Sequence, residues 1–134
     1  MSRTEGGCLC GAVRYSFEGE PAGAMVCHCT HCQKQSGSAF STILSLPESA
    51  LEVRGEPIIY RDHGESGKAV DRIFCGACGS PLFSKVEVAP GMVFIKAGTL
   101  DDASGFAPSM HFWTRSKQCW VETGDLPAFE ANPG

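Results

Sequence analysis

No stretch of this sequence approaches the roughly 18 consecutive apolar residues that a membrane-spanning helix requires, so no membrane partner is expected. The opening "MSRTEGGCLCG" has no apolar segment of the kind a secretory signal carries, which points to a cytoplasmic location. There is no block of like charge and no low-complexity tract, so nothing suggests a disordered arm. Basic residues form no stripe: 11 Lys and Arg stand against 15 Asp and Glu, a formal charge of −4 with histidines neutral. That argues against nucleic acid as a partner, because neutralisation of phosphates by Lys and Arg dominates such affinity. Long segments of helical periodicity are missing too, and no internal repeat is present. The 134 residues suffice for one domain and are too few to expect two; a single domain is expected over residues 4–130.

A nucleotide loop is also missing. "HGESGK" (63–68) ends in Gly-Lys, but Asp62 and Ala69 stand where a phosphate loop needs Gly and Ser or Thr. The stretch is expected to be a surface loop between strands.

What the sequence does contain is punctuation and short apolar runs. Sixteen glycines and eight prolines suggest many turns. "AVRYSF" (12–17) alternates, with Val13, Tyr15 and Phe17 on one face, as a half-buried strand does. Further strands are expected at 38–46, 57–61, 70–75, 81–86, 92–98 and 119–122, each near Gly, Pro or Asp. A short helix could start within the cysteine-rich stretch and end at Gly37, and the tail "DLPAFEANPG" reads as an irregular edge. The expected fold is mainly β, built of short antiparallel strands in one or two sheets.

Eight cysteines are the strongest chemical signal. In a reducing compartment they are not expected to form a disulfide framework, and their spacing is that of metal ligands. "FCGACGS" (74–80) is a strand ending in C-x-x-C-G, the form of a zinc knuckle, with Gly79 suited to a positive φ. One knuckle supplies two thiolates, and "GGCLCG" (6–11) offers two more. Cys8, Cys10, Cys75 and Cys78 would make a closed four-thiolate site, a structural staple that leaves no open position. Cys27, Cys29 and Cys32, in "CHCTHCQKQSG", leave two readings open. The site is either closed by His28, His31 or the distant Cys119, or has its fourth position kept for a substrate. A redox pair, Cys29–Cys32, is the third choice, since that motif belongs in a βαβ context not seen here.

The runs "GGCLCGAVRY", "CHCTHCQKQSGSAF", "RIFCGACGSPLF", "PSMHFWTRSKQCWV" and "DLPAF" resemble, in order and spacing, the glutathione-dependent formaldehyde-activating enzyme family, which includes the domain of centromere protein V. The resemblance spans nearly the whole chain. It implies an all-β fold called the β-tent and two zinc ions. A structural zinc would be held by Cys8, Cys10, Cys75 and Cys78, and a catalytic one by Cys27, Cys29 and Cys32. It further implies carbon–sulfur lyase activity, with S-hydroxymethylglutathione, the adduct of glutathione and formaldehyde, as the named substrate. One departure is "SKQCW", where the family usually has proline before the tryptophan; Cys119 is therefore not a family ligand.

The ligand set narrows the chemistry. Three thiolates already outweigh the +2 charge of zinc, so the ion is a weak activator of water and a better partner for a substrate thiol, which loses its proton on coordination. Such a site suits making or breaking a bond between sulfur and an aldehyde-derived carbon. The alternative is a zinc-stapled β domain with both metals structural, serving as a protein-interaction module. A proton carrier near neutral pH would be a histidine. His111 matches a family histidine, but could equally be a strand residue satisfied by a backbone carbonyl. His28 is the second candidate for that role; it and His31 flank the ligands, where the plainer expectation is a place behind them or at the surface, and His63 is expected in solvent. Gln33, Lys34, Ser36 and Gly37 could meet a substrate carboxylate or amide, or simply form the exit from the metal loop. Arg61, Lys34 and Arg115 are the cations available for a glutathione-type thiol. Phe112, Trp113 and Trp120 are expected in the core.

Overall fold

The structure, a computed structural model, describes residues 3–132. Ten strands form two sheets: β1 (Arg3–Gly7), β2 (Arg14–Glu18) and β5 (Leu51–Arg54) make a small sheet in the order β1-β2-β5. The larger sheet runs β10-β3-β4-β9-β8-β7-β6. It is built from β3 (Gly23–Cys27), β4 (Ser41–Pro47), β6 (Ile58–Asp62), β7 (Val70–Phe74), β8 (Pro81–Val86), β9 (Met92–Lys96) and β10 (Met110–Phe112). The expected mainly β fold is therefore observed. All pairings are antiparallel except that of β10 with β3, which is parallel.

Alternation explains the layers. Val13, Tyr15 and Phe17 point from the small sheet into a core shared with Leu44, Leu46 and Ile95 of the large one. Tyr15 is fully buried against the edge of Phe83, and its hydroxyl meets Thr99 Oγ1 at 2.7 Å, so burial leaves no polar atom unsatisfied. The neighbours of these core residues point the other way. Met25, Ile43 and Phe94 face the opposite side of the large sheet and gather, with Trp113, around Cys27, Cys29 and Cys32. One sheet thus separates two environments, and each contains one group of cysteines.

The strands expected from alternation are found at 14–18, 41–47, 58–62, 70–74, 81–86 and 92–96. Four strands had no such pattern. "RTEGG" and "MHF" become β1 and β10 only through pairing with β2 and β3, and β3 and β5 are likewise set by their neighbours. Two expectations fail: 119–122 forms no strand, and Trp120 is 68% exposed rather than in the core. The tail is irregular, as expected, but it is tied along β10. His111 N–H donates to Pro127 O, and Phe129 N–H donates to His111 O, both at 2.9 Å. Pro133 and Gly134, its last two residues, lie outside the described residues.

Candidate metal centres

The sulfurs of Cys8, Cys10, Cys75 and Cys78 lie within 4.8 Å of one another, close enough to share one ion. Cys8 and Cys10 come from the loop after β1, and Cys75 and Cys78 from the turn after β7. Gly79 has φ +79°, the left-handed conformation the knuckle needs, and its N–H returns to Cys75 O at 2.8 Å. Backbone N–H groups are aimed at the sulfurs: Val13 N–H to Cys8 Sγ at 3.2 Å and Ala77 N–H to Cys75 Sγ at 3.4 Å. Cys78 Sγ lies 3.1 Å from Ser80 Oγ. The Ser80 hydroxyl and N–H, with the Cys10 N–H, hold its thiol down to about 5. Such donors favour thiolates over thiols, which fits a metal with four sulfur ligands.

Cys27, Cys29 and Cys32 form the second group, again within 4.8 Å, and all three are buried. Cys27 ends β3. Cys29 caps α1 (Thr30–Ser36), accepting from Cys32 N–H at 3.2 Å, so the helix cap itself brings two ligands together. The helix ends where the sequence predicted: Gly37 has φ +65° and its N–H bonds Gln33 O at 2.9 Å. No fourth Cys, His, Asp or Glu joins this group among the described residues, and Cys119 is exposed and belongs to neither.

Two buried cations flank the three sulfurs, and sequence reasoning missed both. Arg72 Nη1 donates to Cys32 Sγ at 3.5 Å, while its other nitrogens are held by Asp62 Oδ2 at 3.1 and 3.3 Å. Asp62 is also bound to His31 Nδ1 at 2.8 Å. Lys96, 6% exposed, is anchored on Ser41 Oγ at 2.7 Å. The Cys32 thiol is held well below its usual value, first by hydrogen bonds from Cys27 and Cys29. The positive charges of Lys96 and Arg72 add to this against the opposing cost of burial. The signal was present in the strand pattern. Arg72 stands next to the core residue Ile73 in β7, and Lys96 ends β9 next to the core residue Ile95, so each falls on the face opposite the core.

The three-cysteine group opens onto a cavity of about 640 Å³, which the four-cysteine group does not line. Met25, Ile43, Val86, Phe94, Phe112 and Trp113 form much of its wall. The loop expected merely to cover the surface supplies another part: Gly64, Glu65, Ser66 and Lys68 line the cavity, while His63 is exposed as expected. Glu65 accepts from Thr30 Oγ1 at 3.1 Å and from Ser116 Oγ at 3.0 Å. Trp113 has φ +60°, the only non-glycine residue with positive φ among those described. Its indole N–H donates to Asn132 Oδ1 at 2.8 Å and Arg115 stacks 4.6 Å from the ring centre.

The candidate histidines, the residues that follow the ligand loop and Arg61 stand apart from the cavity wall. His28 is fully buried and His111 nearly so; His28 Nε2 and His111 Nδ1 meet at 2.8 Å behind the ligand loop. Burial holds His28 down to about 4 and lowers His111, so both are neutral at pH 7. Gln33 spends its amide N–H groups on His28 O and Ser116 O, at 2.8 and 2.9 Å. Ser36 turns back to the backbone of Gln33 and Phe40, Gly37 caps the helix, and Lys34 is exposed. Arg61 pairs with Asp71. Of the aromatic residues, Phe112 and Trp113 are packed as expected, yet both also face the cavity.

A small β domain with two groups of clustered cysteines, one closed by four sulfurs and one of three facing a cavity, is a protein with two potential metal sites of different kinds. The family model described as glutathione-dependent formaldehyde-activating enzyme matches residues 3–116, and the chain belongs to that family. Among curated proteins no sequence matches it. A crystal structure of a Rhodobacter sphaeroides protein, determined in a structural genomics programme, has the same fold: the TM-score is 0.59 at 20% identity, over 92% of this chain and 98% of that one. Membership links the chain to glutathione- and formaldehyde-related chemistry. No helix among the described residues is long and apolar enough to cross a membrane.

Proposed function

We propose that this protein is a zinc-dependent carbon–sulfur lyase acting on a thiol–aldehyde adduct of the class to which S-hydroxymethylglutathione belongs. One observation carries the reading: the three-cysteine group faces a cavity, whereas the four-cysteine group does not. The four sulfurs would hold a structural zinc, and Cys27, Cys29 and Cys32 a second zinc with one position left for substrate. When bound there, zinc would supply a site at which a substrate sulfur is stable without its proton.

The residues around that position have definable tasks. Arg72 and Lys96 offset the negative charge that a fourth sulfur would bring to three thiolates. Apolar walls from Ile43, Phe94 and Trp113 exclude water from the reacting atoms. Glu65 is the carboxylate on the cavity wall, held in place by the Thr30 and Ser116 hydroxyls. It would take the proton of the adduct's hydroxyl as the carbon–sulfur bond breaks. The bonding pair goes to sulfur, the carbon becomes an aldehyde, and the reverse sequence joins the two. His28 and His111 act on this reading as positioning residues: their mutual hydrogen bond ties the ligand loop to β10.

Cys29→Ser is expected to abolish turnover, by about a thousandfold or more. Its unfolding temperature and one bound zinc per chain should be kept. Undiminished turnover would remove the reading. X-ray absorption at the zinc edge tests it independently. Four sulfurs at both sites in the protein as isolated would favour a purely structural module; three sulfurs plus one light, exchangeable ligand at one site would favour the enzyme.

A further inference from the structure

The cations that sequence alone offered for a glutathione-type substrate are all engaged or directed elsewhere. Arg61 is paired with Asp71, Arg115 lies over the Trp113 ring, and Lys34 is on the exposed side of α1; none lines the cavity. Of the two cations that do line it, Arg72 is committed to Asp62 and Cys32. The other, Lys68, is exposed on the loop and in no ion pair among the described residues, so it can serve at most one carboxylate. Glutathione brings two carboxylates and an ammonium. Burying a carboxylate without a partner against Val86, Val88, Phe94 or Trp113 is heavily penalised. The same walls favour apolar groups, by about 0.8 kcal/mol for each CH₂ buried. A cavity of about 640 Å³ is also within the ordinary range for an organic ligand of moderate size.

We infer that the cavity over Cys27, Cys29 and Cys32 selects thiols, and their aldehyde adducts, whose body is apolar or aromatic, over the doubly carboxylated tripeptide. The inference rests on the thiol-binding reading of that site. The apolar body lies along β8 and β9, against Val86 and Phe94, with its sulfur at the three cysteines. The open end is marked by Val88, 55% exposed, where the selected molecule stays apolar to the rim.

The test uses the full chain loaded with cobalt(II) in place of zinc, titrated separately with benzyl mercaptan, 2-mercaptoethanol and glutathione. Thiol coordination is read from the visible cobalt spectrum, and occupancy of the wall from Trp113 fluorescence. Benzyl mercaptan is expected to bind at least about tenfold more tightly than glutathione. Val88→Lys, an exposed change that does not threaten the fold, is expected to narrow that ratio at least about threefold by giving a carboxylate a partner. Glutathione binding as tightly as benzyl mercaptan, with the cobalt spectrum shifted by both, would overturn the selectivity and leave the thiol site standing. A cobalt spectrum indifferent to all three thiols would overturn the lyase reading and this inference with it.

Discussion

The two cysteine groups are made of the same atoms at similar spacing, yet they differ in how many sulfurs are exposed, in the charges beside them and in whether they meet a cavity. In the first, Cys10 is exposed and Cys78 partly so; the nearest donors are backbone N–H groups and the Ser80 hydroxyl. In the second, all three sulfurs are buried beside Arg72 and Lys96 and face an apolar cavity. A four-thiolate site is complete and can sit near water, because nothing further need bind. A three-thiolate site intended for a substrate sulfur has to limit competition from water and balance a growing negative charge. Ligand number thus predicts environment, and the strand alternation of the large sheet provides it, with Ile73 and Ile95 on one face and Arg72 and Lys96 on the other.

The largest difference between the groups should appear on removing a ligand from the first. Cys75, 1% exposed, belongs both to that group and to the main core. Cys75→Ser is expected to abolish the cooperative thermal transition, since losing a structural metal removes a large part of a total stability of about 5–15 kcal/mol. Circular dichroism melting with zinc counting checks this. A variant that melts normally with one zinc fewer would mean the two groups are equally dispensable to the fold, and the contrast would fail.

A smaller effect is expected where the open site meets its loop. Glu65→Gln should lower kcat about a hundredfold while leaving thiol binding and zinc content unchanged, as loss of a proton carrier does. A matching rise in KM with kcat kept would make Glu65 a binding residue instead.

The smallest concerns charge. Lys96→Met keeps the length of the buried stem and removes the ammonium beside the three sulfurs. Thiol affinity, followed by titration, is expected to fall about tenfold with both zinc ions retained. Loss of the second zinc would show that Lys96 supports the metal itself, sharpening the contrast with the first group, which has no such cation.

How much of this could be read beforehand follows a physical line. The Cys27–Cys29–Cys32 triplet, the two cysteine pairs, the Gly37 helix end and the positive φ of Gly79 were legible, because spacing and local conformation are properties of a few adjacent residues. That the pair at Cys8 and Cys10 meets the pair at Cys75 and Cys78 was expected only from the need for four ligands and from the family resemblance. Six strands were legible for the same reason. Strands β1 and β10 were not, since their hydrogen bonds go to residues far along the chain. An aromatic ring in a short apolar run suggests the core for Trp120, but Cys119 and Trp120 form a turn that leaves the ring in solvent. The loop 63–68 reads from sequence as a surface loop between strands, and its place on the cavity wall depends on where β6 and β7 set it.

By itself the sequence determined which side chains can be metal ligands, because C-x-C, C-x-C-x-x-C and C-x-x-C-G hold their sulfurs close in any fold that forms those turns. Only the tertiary structure decided which group faces a cavity and which buried charges stand beside it. Those are contacts between residues tens of positions apart, such as Cys32 with Arg72, and no local pattern encodes them.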